Sequence, residues 1–487
     1  MLFNSYVFVL LFLPLCISGY FLLNHFKRYR QGQVFLLFMS LWFYGYFTPA
    51  YLPIILLSIV LNYGFSYVLL KNERQIIQKG TLAAALLANV GILFYYKYFD
   101  FFKANVNMLF GTSFAASNVL LPLGISFFTF QQLSYVIDSY RKEVPVYNFI
   151  EYACFVTYFP QLIAGPIVTH DELVPQFMDE KRKHFCWTNF ASGVYVFVLG
   201  MAKKVLIADV FGNAVNWGFA NIGKLDSSNA LITMLSYTVH IYFDFSGYCD
   251  MAIGIGKMMN IELPMNFNSP YQAVNIAEFW NRWHMTLTRF FRKYVYIPLG
   301  GNRNGKLWTY RNVMIVYLIS GLWHGANWTF LLWGALHGTA SVIYRGFRRY
   351  IDRVPRVLNW LLTFTFINVA WVFFRADSIG DACALLSRIA QCNFGGALPE
   401  ITNAFASSEL TFMLHLVPGI EVLTVCPQFL LIGYFAVVCA ILFFSRNAFE
   451  KMNTFEPTLL TLTYTVILAV WCIMSFAGVS TFLYFNF

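Results

Sequence analysis

Charge is what this 487-residue chain has least of: Asp, Glu, Lys and Arg together make up 11% of it, against roughly 25% in an average soluble domain. That shortage excludes an ordinary water-soluble enzyme. The nine cysteines are odd in number and scattered, with Cys16, Cys249, Cys439 and Cys472 inside apolar stretches. They give neither a disulfide framework nor zinc-ligand spacing. No two histidines stand at i, i+4 beside a carboxylate, so no metal site and no bound cofactor is expected. No internal repeat argues for a transporter built from inverted halves. The first apolar run has no basic lead and no small-residue cleavage site, and reads as a retained span rather than a signal peptide. What is present in quantity is apolar: 59% hydrophobic residues, with 53 Phe, 30 Tyr and 12 Trp. Disorder is excluded by the same figures. The expected class is an all-α polytopic membrane protein.

Thirty-three Lys and Arg against 23 Asp and Glu leave a net charge of +10. In a membrane protein such an excess belongs to cytoplasmic loops, so no nucleic-acid partner is expected. A spanning helix needs about 20 mostly apolar residues. Charge-free runs cover 1–24, 31–70, 80–96, 104–137, 152–170, 187–202, 227–243, 312–344, 357–374, 422–445 and 457–487. The second is long enough for two spans that turn at Pro49 and Pro53, and 312–344 for a tight helical hairpin. In 152–170, Pro160 and Gly165-Pro166 break a helix in mid-run, which suits a re-entrant segment. The count comes to about eleven or twelve spans plus re-entrant and interfacial helices. The basic loops at Lys27–Arg30, Lys71–Lys79, Arg141-Lys142 and Lys181–Lys183 then share the cytoplasmic face, with the N-terminus outside.

Polar residues in this background are functional candidates by default. The run Tyr242-Phe-Asp-Phe-Ser-Gly-Tyr-Cys-Asp puts Asp244, Ser246 and Asp250 within a predicted span; it reads either as a buried hydrogen-bonded network or as part of a site. The stretch from Glu278 to Lys293 is too charged to span. On a helix it would set Arg289, Arg292 and Lys293 on one face and Trp280 and His284 one turn apart. Either it lies among lipid headgroups or it is a cationic wall for a phosphorylated donor, built from Trp280, Asn281, Arg282, Arg289, Arg292 and Lys293. From Phe279 to Arg311 there are seven basic residues and no acidic one. In 312–344, Gly321 and Gly325 permit close helix approach, and His324 lies near the middle between Trp323 and Trp328. Burial would keep its ring neutral and able to accept a proton; a satisfied core histidine is the plainer alternative. His337, thirteen residues on, falls on another face if that helix is continuous. His25, His170, His184, His240 and His415 suggest no role.

Together these stretches resemble the membrane-bound O-acyltransferases, in the branch typified by the bacterial alginate O-acetylation protein. The likeness is carried by Leu121-Pro-Leu-Gly-Ile-Ser-Phe-Phe-Thr-Phe-Gln, Tyr158-Phe-Pro-Gln-Leu-Ile-Ala-Gly-Pro-Ile, Tyr242-Phe-Asp-Phe-Ser-Gly-Tyr and Asn266-Phe-Asn-Ser-Pro-Tyr. It continues through Phe279-Trp-Asn-Arg-Trp-His, Tyr296-Ile-Pro-Leu-Gly-Gly-Asn-Arg, Gly321-Leu-Trp-His-Gly and Ala370-Trp-Val-Phe-Phe-Arg-Ala-Asp. The resemblance implies one membrane-embedded domain over 1–487, with its motifs in 120–380 and additional helices in 381–487. It implies helices around a central funnel, with the essential histidine at His324 and the second characteristic histidine at His284.

The chemistry implied is acyl transfer from a thioester to a hydroxyl, with His324 as general base. Asn327 and Trp323, with Asp244 and Ser246, are the funnel and oxyanion candidates. The resemblance implies acetyl-CoA as donor and a polysaccharide acceptor reached through an extracytoplasmic SGNH-type acetyltransferase. The expected location is a bacterial inner membrane, with lipid as the surrounding partner. D-alanyl transfer to teichoic acid and a transporter or flippase using Asp244 and Asp250 as proton relays are the rival readings.

Overall fold

The computed structural model describes residues 1–117, 119–415, 426–478 and 482–483. Every regular element among them is helical. They form two compact units, Met1–Phe197 with Met251–Pro264, and Val198–Asp250 with Met265–Phe487.

The first unit opens with α1 (Leu13–His25), α2 (Tyr29–Gly45), α3 (Leu52–Lys71), α4 (Gln75–Leu93), α5 (Phe99–Phe110) and α6 (Ile125–Tyr140). The turn between α2 and α3 falls at Pro49 and Pro53 as the sequence predicts, because the proline ring removes a backbone donor. The charge-free run 104–137 is not one helix. Gly111 and Gly124 both adopt positive φ (66° and 70°), a conformation that ends α5 and precedes α6. Buried amides tie this bundle together: Asn62 and Asn89 exchange hydrogen bonds of 3.2 and 2.7 Å, and Gln132 donates to Ser58 at 2.9 Å. Such side-chain bonds are the usual glue between helices in lipid. The run 152–170 is broken, into α7 (Phe149–Thr157), α8 (Phe159–Leu162) and the start of α9 (His170–Met178). Capping boxes at Asn148–Glu151 and Thr169–Glu172 start α7 and α9. The chain leaves this unit through α10 (Trp187–Ala202).

The second unit is built from α11 (Asp209–Ala220), the long α12 (Ser227–Met258) as far as Asp250, the short α13 (Ile276–Arg282) and α14 (Met285–Phe291), α15 (Lys306–His324), α16 (Trp328–Ile351) and α17 (Arg356–Arg375). After α18 (Ile379–Ala390), α19 (Pro399–Thr402) and α20 (Ser408–His415) come α21 (Pro427–Phe444), α22 (Ala448–Asn453) and α23 (Leu459–Met474). The hairpin expected in 312–344 is α15 and α16. Its arms touch backbone to backbone: a Cβ on Gly321 would collide with the Phe330 carbonyl oxygen, and one on Gly334 with that of Tyr317.

Among the described residues, five helical segments are long and apolar enough by themselves to cross a membrane: Phe8–His25, Pro49–Lys71, Gln75–Phe110, Arg356–Arg375 and Pro427–Phe444. The other charge-free runs form helices that are shorter, broken or interrupted by polar residues. The protein is an all-α polytopic membrane protein.

Candidate active site

The sequence between Trp280 and His284 contains neither Gly nor Pro, yet the helix ends there. Arg282 closes α13, Trp283 is extended, and His284 adopts φ 45° and ψ 52° before α14 begins. A histidine in the left-handed region is strained and persists only where its surroundings impose it. Here the loop before α13 does so. The Asn266 carbonyl receives the Met285 N–H at 3.0 Å, and Asn268 donates to the Arg282 carbonyl at 2.9 Å.

The Asn266 side chain then fixes the imidazole. Its Oδ1 accepts from the Thr286 N–H at 3.3 Å and the Thr286 hydroxyl at 2.9 Å, while its Nδ2 donates to Cys249 Sγ at 3.3 Å. A backbone N–H can only donate, so the amide atom facing it is the oxygen. His284 Nδ1 lies 3.1 Å from that same oxygen and must carry the proton. Nε2 is left as a lone-pair acceptor. It is fully buried and meets no hydrogen-bond partner among the described residues. The ring lies outside the spanning helices, and burial pushes its pKa down to about 3, which keeps it neutral at ordinary pH.

Around His284 stands a box of aromatic rings. Phe245 from α12 packs edge-on to it at 4.8 Å, Trp323 is 6.2 Å away and His324 6.5 Å, centroid to centroid. His324 is the last residue of α15 and is itself buried. Its ring meets Trp323 at 4.8 Å, Phe374 at 5.1 Å and Trp333 at 5.2 Å. The structure thus brings together the two histidines that the sequence singled out 40 residues apart.

His337 belongs to the same box, against the expectation from a continuous helix. The chain breaks between His324 and Trp328, so α16 returns with its own phase. Trp280 Nε1 donates to His337 Nδ1 at 3.2 Å, and the His337 ring lies 4.7 Å from Trp333. Trp333 therefore touches both histidines. Its indole N–H is fully buried and has no acceptor among the described residues. Sequence reasoning missed Trp333 and Asn266; only a buried tryptophan's need for an acceptor could have flagged the first.

Other candidates fall elsewhere. Asp244 accepts from Lys204 Nζ at 2.6 Å and from the Leu483 N–H at 2.9 Å, and Lys204 also meets Asp209 at 2.7 Å. Asp250 pairs with Lys203 at 2.6 Å. The network reading of these carboxylates is the one the structure supports, with lysines the sequence left out. Asn327, another oxyanion candidate, serves as an N-cap: its Oδ1 accepts from the Thr329 N–H, and one of its two Nδ2 protons goes to the Asp377 carbonyl at 2.9 Å. Trp323 stays beside His324, and Ser246 is buried on α12.

Trp280, grouped with the donor wall in the sequence, is buried in the aromatic box, because the helix break at Trp283 and His284 turns it inward. Asn281, Arg289 and Arg292 are exposed. Arg282 is held by Glu278 at 2.9 Å, an acid just outside the stretch that looked wholly basic. Lys293 stands 5.1 Å over the Tyr294 ring. Among the described residues no group of His, Cys, Asp and Glu could hold a metal ion.

Residues 119–379 match the family model described as MBOAT, the membrane-bound O-acyltransferase family. The chain is 38% identical over 523 residues to a peptidoglycan O-acetyltransferase of Helicobacter pylori, covering 100% of this chain and 98% of that protein. It is 38% identical over 447 residues to a Pseudomonas aeruginosa protein named probable alginate O-acetylase, 90% of this chain and 82% of the relative. To a teichoic acid D-alanyltransferase of Bacillus subtilis it is 26% identical over 284 residues, 53% of this chain and 69% of that one. His284, His324 and their aromatic box all lie inside the matched segment.

Proposed function

The chain belongs to the membrane-bound O-acyltransferase family and is an O-acyltransferase; from that premise we propose that it moves acetyl groups from acetyl-CoA to a cell-envelope polysaccharide, in a bacterial inner membrane. The observation that carries this reading is the pair of buried histidines 6.5 Å apart, one of them locked as a hydrogen-bond acceptor.

A hydroxyl is a poor nucleophile until a base takes its proton. His324 takes that proton as the acceptor oxygen attacks the thioester carbonyl. Until then His284 Nε2 accepts the hydroxyl's one hydrogen bond and holds the group in place, and the O–H turns to His324 for the transfer. The C–O bond forms, and the oxyanion is met by the Trp333 N–H, the kind of preorganised donor worth about 10²–10³ in rate. The C–S bond then breaks, and the sulfur leaves as a thiol with the proton His324 had accepted. The exposed guanidinium groups of Arg289 and Arg292 receive the donor's phosphates. The acceptor approaches from outside, by way of an SGNH-type partner's serine.

Supplying isotopically labelled acetyl-CoA to membranes and reading the envelope polysaccharide by mass spectrometry tests the reading. Labelled acetyl esters are expected. D-alanyl esters, or acetylation that carries no label, would overturn the donor assignment.

A further inference from the structure

Away from the histidines, the second unit contains a cavity of about 510 Å³, within the range of about 300–1,000 Å³ typical of small-ligand sites. It lies where the end of α10, α12, α21 and α23 meet. Its walls are apolar, including Leu206, Phe243, Leu430, Val437, Leu468 and Trp471. One end is different: Lys203, Arg446 and Lys451 line it, and none of the described lining residues is acidic.

The charges at that end do not balance. Lys203 is neutralised by Asp250 at 2.6 Å. Arg446, exposed just past the end of α21, and Lys451, half-buried on α22, form no ion pair among the described residues, and Lys451 has only the charge of Asp250, already paired with Lys203, to draw on. Burial and the neighbouring Lys203 lower the Lys451 pKa more than Asp250 raises it, so a further anion would relieve it. Glu450 sits next in sequence but does not line the cavity. Gly433 lines the cavity from the middle of α21, and a Cβ built there meets nothing within 4 Å. Glycine inside a helix costs about 1 kcal/mol relative to alanine, and here it leaves space for something else. α21 is a span with only 17% of its residues buried inside the protein, so the bilayer is its neighbour.

We propose that this cavity holds one acyl chain of an anionic diacyl phospholipid, with its phosphate seated between Arg446 and Lys451. Apolar walls suit the chain, two open cations suit one phosphodiester, and basic pockets between membrane helices are known to take anionic headgroups. The site is independent of the acyl-transfer reading.

The test uses the full chain in detergent, with phosphatidylglycerol or phosphatidylcholine added, reading retained lipid by native mass spectrometry and melting temperature in parallel. Phosphatidylglycerol should be retained and should raise the melting temperature; phosphatidylcholine should do neither. The double variant Arg446→Ser/Lys451→Ser should retain phosphatidylglycerol about thirtyfold more weakly. Gly433→Leu adds a side chain whose Cβ meets nothing within 4 Å and favours the helix, so it should fold, occupy the cavity and lose the lipid. Equal retention of both lipids, or undiminished retention in both variants, would overturn the proposal. A shift produced equally by inorganic phosphate would overturn the acyl-chain half of it, and displacement by a polyprenyl phosphate would overturn the choice of occupant.

Discussion

Two polar regions of the second unit look alike in sequence and differ in how their buried groups are met. Near α12, Lys203 and Lys204 face Asp250, Asp244 and Asp209 at 2.6–2.7 Å, and each of these charges has an opposite partner. In the aromatic box there are no formal charges, yet His284 Nε2 and the Trp333 N–H lie fully buried without partners among the described residues. An unmet buried polar atom costs about 1–3 kcal/mol and calls for a reason. Acidic residues at membrane depth are functional candidates by default, but at Asp244 the pairing explains the residue. The unmet neutral atoms are the better guide to chemistry, because an acceptor and a donor beside one histidine are what a hydroxyl and an oxyanion require.

Breaking the paired side should act on stability. Lys204→Met leaves two buried carboxylates uncompensated, and the expected loss is about 3–5 kcal/mol, read as a lowered melting temperature in detergent. Adding Asp244→Leu and Asp209→Leu should recover part of it. On the open side, Trp333→Phe keeps an aromatic side chain and removes the donor, and the turnover rate per folded molecule should fall about 10²–10³-fold, while the smaller ring leaves a buried cavity that lowers the melting temperature. Asn266→Leu frees the His284 ring and should slow turnover by up to about 10²-fold, the scale of a small misplacement.

Asn266→Asp sharpens the same point through pH. A carboxylate opposite Nδ1–H raises the imidazole pKa, so the ring is protonated, and Nε2 lost as an acceptor, at higher pH than in the native protein. The acid limb of the rate profile should move upward from the low position that burial gives it. The smallest effect belongs to the exposed wall. Arg289→Ala with Arg292→Ala should raise the donor KM by no more than about thirtyfold, since exposed charge contacts are each worth about 0.2–1 kcal/mol, and should leave kcat unchanged.

The hairpin of α15 and α16 was legible because Gly321, Gly325 and the length of an uncharged run all speak locally. The two histidines were legible through family resemblance at Phe279–His284 and Gly321–Gly325. The break at Trp283 and His284 was not, since nothing within those residues stops a helix; it is imposed by Asn266 and Asn268 through bonds that span 14–20 residues. Lys203 and Lys204 were not singled out, because Asp250 and Asp244 lie 47 and 40 residues on from them in the chain. Asn327 has the same side chain whether it caps a helix or binds an oxyanion, and only the fold distinguishes them. The C-terminal hundred residues show helices through hydropathy alone, so the basic end of the α21 cavity had no signal in sequence.

The most direct test is the rate of labelled acetyl transfer per folded molecule in His324→Ala membranes, measured beside Asp250→Asn membranes at matched protein. The histidine variant should lose about 10²–10⁴-fold in rate and keep the native melting temperature, whereas the aspartate variant should melt earlier and, while folded, transfer at the native rate. A His324→Ala protein that transfers acetyl at the native rate would contradict the account.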